Sequence, residues 1–303
     1  MKNSVTASYI SMAMAWLVWS MDPILIRVIG DDVARPVMVG VSMTLAGLIL
    51  LLPALRGYFF LAKRRDLWGS FLFYIIFATV IAELLYVMAI RNLNPGLVGL
   101  TLRSQVIMAI LSAWFFFGER PNISTIIGIV IVVLGYGGTA YFMKPDVEHE
   151  GRQCNAALGW SCAIAAAVLW TSGTLLGKKL MENIKSSHLC GMRMLTAGIV
   201  TSLVYICAGG GKDFLMLNRE QWWFMLVKSA VCSALGYTLY MFGLHLAPVT
   251  AAAAMEQAAP LFTLCVATFV IHEPIAAMQW GTVAVVFLGA AIILVSQYRK
   301  AKS

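Results

Sequence analysis

Long apolar stretches alternate with short polar breaks along this chain, and the stretches are too long and too evenly apolar for the half-buried helices of a soluble domain. A membrane-spanning helix needs roughly 20 mainly apolar residues. Runs of about that length fall at 8–29, 36–54, 68–90, 96–117 and 122–143, and again at 156–178, 187–208, 221–244, 249–271 and 277–297. The pattern predicts an all-α integral membrane protein with ten transmembrane helices. The longest polar linker, residues 144–155, divides it into a five-helix half over 1–143 and a second over 156–303.

Composition agrees with the pattern. Of 303 residues, 60% are hydrophobic and 12% charged, and the mean hydropathy is +0.83, so the principal solvent is lipid. The net charge of +8 on a soluble domain would suggest nucleic acid. Here it reads as topology, because basic residues concentrate on the cytoplasmic side of membrane proteins. With the N-terminus inside, Lys2, Arg56, Lys63, Arg64, Arg65, Arg120, Lys178, Lys179, Lys185, Arg299, Lys300 and Lys302 are cytoplasmic, twelve against seven outside, and both termini are expected there. The first run is too long for a signal peptide and has no small-residue cleavage site, so it is expected to be retained. The six cysteines all fall in the second half without metal-ligand or redox spacing, and the four histidines are scattered. Neither a metal centre nor a cofactor site is expected.

The two halves repeat one another. Trp19, Ser20 and Arg27 correspond in spacing to Trp170, Thr171 and Lys178; Gly40, Ala46 and Gly47 to Gly191, Ala197 and Gly198; and Leu85-Tyr86 to Leu239-Tyr240, each pair leading into a proline, Pro95 or Pro248. Glu119 and Glu273 occupy matching places too, and suit the positive end of the following helix. Because five is odd, consecutive copies enter the membrane from opposite sides. The expected fold is thus two inverted five-helix repeats, a common construction of secondary transporters.

These same residues resemble the drug/metabolite transporter superfamily, in particular its EamA-type ten-helix members. The resemblance covers nearly the whole chain and rests on the Trp-Ser and Trp-Thr pairs, the duplicated Leu-Tyr, Gly118-Glu119-Arg120-Pro121 and His272-Glu273-Pro274. It implies metabolite transport without nucleotide hydrolysis, often efflux, over substrates from amino acids and amines to nucleotide sugars and drugs. The chain departs from the family at Ser42, where an arginine is common and the second half has Arg193, and at Gln105, which lacks the proline that Gln257 to Pro260 supply in the second half.

Ionisable groups within spans are costly and usually face a cavity or a partner. Arg103 and Glu256 each lie eight residues beyond the proline that opens their helix. That is about 12 Å deep, close to the middle of a ~30 Å core, and Glu83 sits at a similar level. Two readings stand. The three form an ion pair that locks helices, or they line a substrate cavity, where an arginine grips a carboxylate and an acid accepts an ammonium group or exchanges a proton. Asp22 precedes Pro23, which removes a backbone hydrogen bond and can break the helix; the acid is then an ion or gate site, or simply meets water near the outer surface. Arg193 and Lys228 lie within about 10 Å of their helix ends, where snorkelling is open to both and favoured for Lys228 beside Trp222 and Trp223. Duplication singles out Trp19, Tyr86, Trp170 and Tyr240 among the aromatic residues, with Tyr237 beside them.

The sequence thus yields substrate-binding candidates Trp19, Glu83, Tyr86, Arg103, Trp170, Tyr237, Tyr240 and Glu256, with Asp22 and Arg193 as gating or coupling candidates. The function expected is secondary active transport, with export favoured, of a small metabolite such as an amino acid or amine, and proton exchange as a candidate coupling. The partners are a small-molecule substrate and the lipid bilayer, with no nucleic acid. An intramembrane enzyme lacks its nucleophile and base here. A non-transporting membrane partner, such as the accessory subunit of a lipid or glycolipid flippase, is the competing class. The expected location is the bacterial inner membrane.

Overall fold

The structure, a computed structural model, describes residues 2–30, 32–92, 98, 101–102, 104–118, 120–142, 155–256 and 277–302. All regular elements among them are helices. In chain order they are α1 (Lys2–Trp19), α2 (Asp22–Ile29), α3 (Arg35–Ile49), α4 (Leu51–Lys63), α5 (Trp68–Ile75), α6 (Ala82–Asn92), α7 (Gln105–Phe117) and α8 (Ile123–Phe142). There follow α9 (Ala156–Leu180), α10 (Ser186–Tyr205), α11 (Gly211–Leu215), α12 (Arg219–Lys228), α13 (Tyr237–Leu246), α14 (Val249–Glu256) and α15 (Ala277–Lys302). A wider-wound π segment, Ile76–Ile81, joins α5 to α6, and another, Ser229–Gly236, joins α12 to α13.

Five helical stretches among the described residues are long and apolar enough to cross a membrane: Arg65–Tyr86, Ala156–Leu180, Ser186–Leu215, Arg219–Leu246 and Trp280–Arg299. A sixth is added if α3 and α4, bent by 85°, count as one span. Two elements differ from the uninterrupted runs read in the sequence. The first run breaks at Ser20–Met21 into α1 and α2. The second stops at Ile49 and turns sharply, because Pro53 lacks an N–H and its ring would collide with the Ile49 carbonyl four residues back. Elsewhere Gly118 closes α7 in a left-handed conformation (φ 66°), its N–H reaching the carbonyls of Ala113 and Trp114, a turn that favours glycine. Glu119 and Glu273 lie outside the described residues.

Internal contacts divide the chain into two compact units, each drawing helices from both halves of the sequence. One comprises Ala7–Val80 and Leu176–Leu246; the other Met1–Thr6, Ile81–Leu175 and Ala247–Ser303. In the first, α3 lies against α10 so closely that no side chain fits at the glycine positions. A Cβ on Gly47 would strike the backbone of Leu195, and one on Gly198 the backbone of Thr44. Gly191 likewise faces Leu50 and Ala54, where a Cβ would come within 2.8 Å of the Leu50 carbonyl oxygen. In the repeat spacing that pairs Gly47 with Gly198, Thr44 pairs with Leu195. The two contacts are therefore reciprocal, and partners run in opposite directions along the two helices.

The second unit repeats the arrangement with α8 and α15. A Cβ on Gly135 would lie 2.7 Å from Val286, and one on Gly289 would lie 2.8 Å from Val132, and the spacing that carries Gly135 to Gly289 carries Val132 to Val286. Close approach of this kind is how helices associate in lipid, where burying apolar surface gives no net gain and van der Waals contact must hold them together. Gly47→Ala and Gly198→Ala are each expected to cost about 1–3 kcal/mol through overpacking, whereas Gly69→Ala, which meets nothing within 4 Å, should be neutral or slightly stabilising. Thermal unfolding of the purified variants in one detergent checks the ordering.

Candidate functional site

The break in the first helix is the local feature from which the site is built. Ser20 N–H donates to the Trp16 carbonyl (3.0 Å) and Met21 N–H to the Val18 carbonyl (3.1 Å), a tightened final turn. The Ser20 hydroxyl closes on the Leu17 carbonyl at 2.6 Å. Pro23 then sits in the first turn of α2, where its missing N–H costs nothing. Across from the break is the π segment Ser229–Gly236, whose wider winding frees a carbonyl: the Trp19 indole Nε1–H donates to Cys232 O at 2.8 Å. A Cβ on Gly236 would come within 2.6 Å of that same nitrogen, so the glycine makes the space the indole fills.

Asp22, first residue of the second helical piece, forms an ion pair with Lys228 at 2.7 Å, the two side chains 29% and 13% exposed. This corrects the expectation that Lys228 snorkels to the membrane surface. The broken helix presents a carboxylate to the end of α12, and an amine near a fixed anion gains more by pairing than by reaching outward. Asp22 is accordingly an ion-pair partner.

Next to this pair lies an aromatic group. Trp16 and Trp19 meet edge to face at 4.7 Å, and Trp19 packs on Tyr237 at 4.8 Å and on Tyr240 at 5.3 Å. Tyr237 faces two ways, since the Arg193 guanidinium lies over its ring at 4.7 Å. The same guanidinium lies 5.2 Å from the Tyr74 ring and donates from Nη1 to the Tyr74 hydroxyl at 3.1 Å. Arg193 is 7% exposed and Tyr74 1%, so Arg193 does not snorkel; aromatic faces supply the negative potential its charge needs. Trp19, Tyr237, Tyr240 and Arg193 thus lie in one connected group.

In the other unit Tyr86 packs on Trp170 at 5.2 Å. This is the repeat counterpart of the Trp19–Tyr240 contact, with the roles of the halves exchanged. Glu83 and Glu256 are both half-buried here. Arg103 lies outside the described residues, so the triad it was to form with them has no geometry to report. Among the described residues no three or more His, Cys, Asp or Glu side chains gather as a metal site would require.

Sequence reasoning missed Tyr74, which contacts Arg193, and it missed the π segments. A signal existed for both. The spacing that carries Leu85 to Leu239 carries Tyr74 to Lys228 and residues 76–81 to 230–235, inside the second π segment. A polar residue thus precedes a π segment in each copy, and such segments recur at functional sites. Glu83 and Tyr237 correspond to each other in the same way, just beyond the two segments.

Residues 6–141 and 157–295 match the EamA-like transporter family. The chain belongs to that family. A relative in Rickettsia prowazekii (strain Madrid E), named as an S-adenosylmethionine uptake transporter, is 31% identical over 40% of this chain and 39% of its own. Another, in Escherichia coli (strain K12), named as a probable amino-acid metabolite efflux pump, is 27% identical over 55% of this chain and 52% of its own. The match to these relatives therefore spans about half their length or less. One solved crystal structure superposes with a TM-score of 0.77 over 98% of this chain and 99% of its own at 16% identity, a likeness of fold alone. The family and the relatives bear the names of transporters and not of enzymes.

Losing one member of the Asp22–Lys228 pair removes the opposite charge from a part-buried partner. Asp22→Asn alone is expected to lower stability by about 1–3 kcal/mol, and Lys228→Gln added to it should recover most of the loss. Unfolding midpoints of the two singles and the double in detergent decide this; strictly additive losses would exclude the pairing.

Proposed function

We propose that this protein is a secondary transporter of a small metabolite of the amino-acid or amine class, one carrying a carboxylate beside a cationic or aromatic part. The observation that carries the reading is the buried Arg193, held between Tyr74 and Tyr237 and continuous through Tyr237 with Trp19 and Tyr240. A guanidinium grips a carboxylate with two parallel hydrogen bonds, and the aromatic faces beside it attract the cationic or π-rich remainder of the same molecule. S-adenosylmethionine, in one relative's name, carries an α-amino carboxylate, as do the amino acids from which the metabolites in the other's name derive, which favours the same class. Export is the working direction, taken from the family resemblance.

The mechanism we infer is alternating access by two inverted repeats, 1–143 and 156–303, with both termini in the cytoplasm of a bacterial cell. The reciprocal glycine contacts of α3 with α10 and of α8 with α15 support it, because antiparallel contacts that exchange under the repeat spacing are those of a two-fold axis perpendicular to the helices. The family match in two stretches, one within each half, supports it too. Glu83 and Glu256, half-buried in a span, are the candidate proton carriers, with Arg103 their expected partner. Tyr86 and Trp170 complete the second aromatic pair.

Proteoliposome counterflow against a panel of amino acids, amines and S-adenosylmethionine tests the substrate class. Arg193→Lys should lower uptake of the carboxylate-bearing substrates at least about tenfold, since an ammonium cannot reproduce the planar fork, and Glu83→Gln should abolish transport or shift its pH dependence while folded protein is retained. Counterflow by no member of the panel would turn the reading to a non-transporting partner. For orientation, a cysteine at Lys63 in a background stripped of native cysteines should resist an impermeant reagent outside intact cells; rapid labelling there reverses the topology.

A further inference from the structure

Where α8 begins and α15 ends, the unit they share carries an open groove of about 700 Å³, lined by Asn122, Ser124, Ile292, Val295, Ser296 and Arg299. One side is polar and the other aliphatic. Asn122 and Ser296 are occupied with each other, at 2.7 and 2.8 Å, and Asn122 also accepts from Thr125. Ser124 and Arg299 are both exposed, and neither makes a side-chain hydrogen bond or ion pair with another described residue. Arg299 closes the stretch Trp280–Arg299, which is long and apolar enough to span a membrane, and Lys300 and Lys302 follow it in the sequence.

We propose that this groove binds an anionic phospholipid, its phosphate held by the Arg299 guanidinium and the Ser124 hydroxyl and its acyl chain lying along Ile292 and Val295. Charge and position favour this occupant. A basic side chain at the end of a span meets the headgroup layer, where attraction to anionic lipid amounts to a factor of roughly five in affinity per cation, and a guanidinium matches a phosphate in a way a lone ammonium does not. The exposed Val295 beside it faces the acyl region. A soluble anion would use only the polar end of the groove and leave the aliphatic side idle.

The inference stands apart from the transport reading, and its test needs no substrate. Purified full-length protein in detergent is titrated with phosphatidylglycerol, with phosphatidylcholine and with glycerol phosphate, following the thermal midpoint and lipid retention by native mass spectrometry. Phosphatidylglycerol should raise the midpoint and stay bound, and the other two should not. Arg299→Gln should weaken retention roughly fivefold. Val295→Trp, which keeps every charge but fills the aliphatic side, should weaken it as well. Equal retention by wild type and both variants would assign the effect to diffuse positive charge, and stabilisation by glycerol phosphate alone would make the site one for a soluble anion; either result overturns the proposal. Because both residues are exposed, the unliganded variants should unfold at the wild-type midpoint.

Discussion

A helix in hydrocarbon cannot be interrupted cheaply, because every N–H and C=O released from the ladder must find a partner without help from water. This chain interrupts or widens its helices at Ser20–Met21, Ile76–Ile81 and Ser229–Gly236, and side chains answer the freed groups. The Trp19 indole takes Cys232 O, the Cys232 thiol turns to Val18 O at 3.7 Å, and the Thr79 hydroxyl donates to Tyr74 O at 2.9 Å. Trp19 packs on Tyr237, over which the Arg193 guanidinium lies, and Cys232 lies by Asp22 and Lys228, so residues that satisfy the backbone also build the candidate site. A substitution at Trp19 therefore acts on the helix break and the aromatic group together.

Glycine makes the rest of the architecture possible. Gly47, Gly198, Gly135 and Gly289 let neighbouring helices touch backbone to backbone, which matters in lipid because dispersion and weak polar contacts replace the hydrophobic driving force. Larger residues would separate the helices. Their matching positions in the two halves explain why each compact unit makes its own helix contact twice, with the partners exchanged.

Much of this was legible in the sequence, for identifiable reasons. Span positions follow from length and hydropathy, and the correspondence of Trp19 with Trp170 and of Tyr86 with Tyr240 follows from spacing; both Trp–Tyr contacts then appear in the structure. The fate of charges within the spans was harder to read. Depth along a helix says how far Lys228 and Arg193 are from a surface, but not what faces them, and both find partners across helices distant in sequence. Snorkelling is a default for a lone cation and fails when an acid or a pair of rings is nearer than the interface. The bend before Pro53 was legible in principle, since the ring fixes where a helix must stop.

The repeat is imperfect where it bears charge, and that asymmetry has a thermodynamic consequence under the proposed mechanism. Lys228 corresponds to Tyr74, and the spacing that carries Trp19 to Trp170 carries Asp22 to Gly173. If the halves exchange conformations, the alternate state places a tyrosine and a glycine where an ion pair now stands. The pair then stabilises one state and has no counterpart in the other. Arg193 corresponds to Ser42, so the contact of the guanidinium with Tyr74 is equally one-sided. A difference of about 1–3 kcal/mol between the two states shifts their ratio by roughly 5- to 150-fold, enough to set the resting state without closing the other. A substrate that binds the minor state must supply at least that difference to reverse the ratio. A carboxylate drawing Arg193 away from Tyr74 is a physical means of doing so, because it exchanges a contact made in one state only for a charge-assisted hydrogen bond that travels with the substrate.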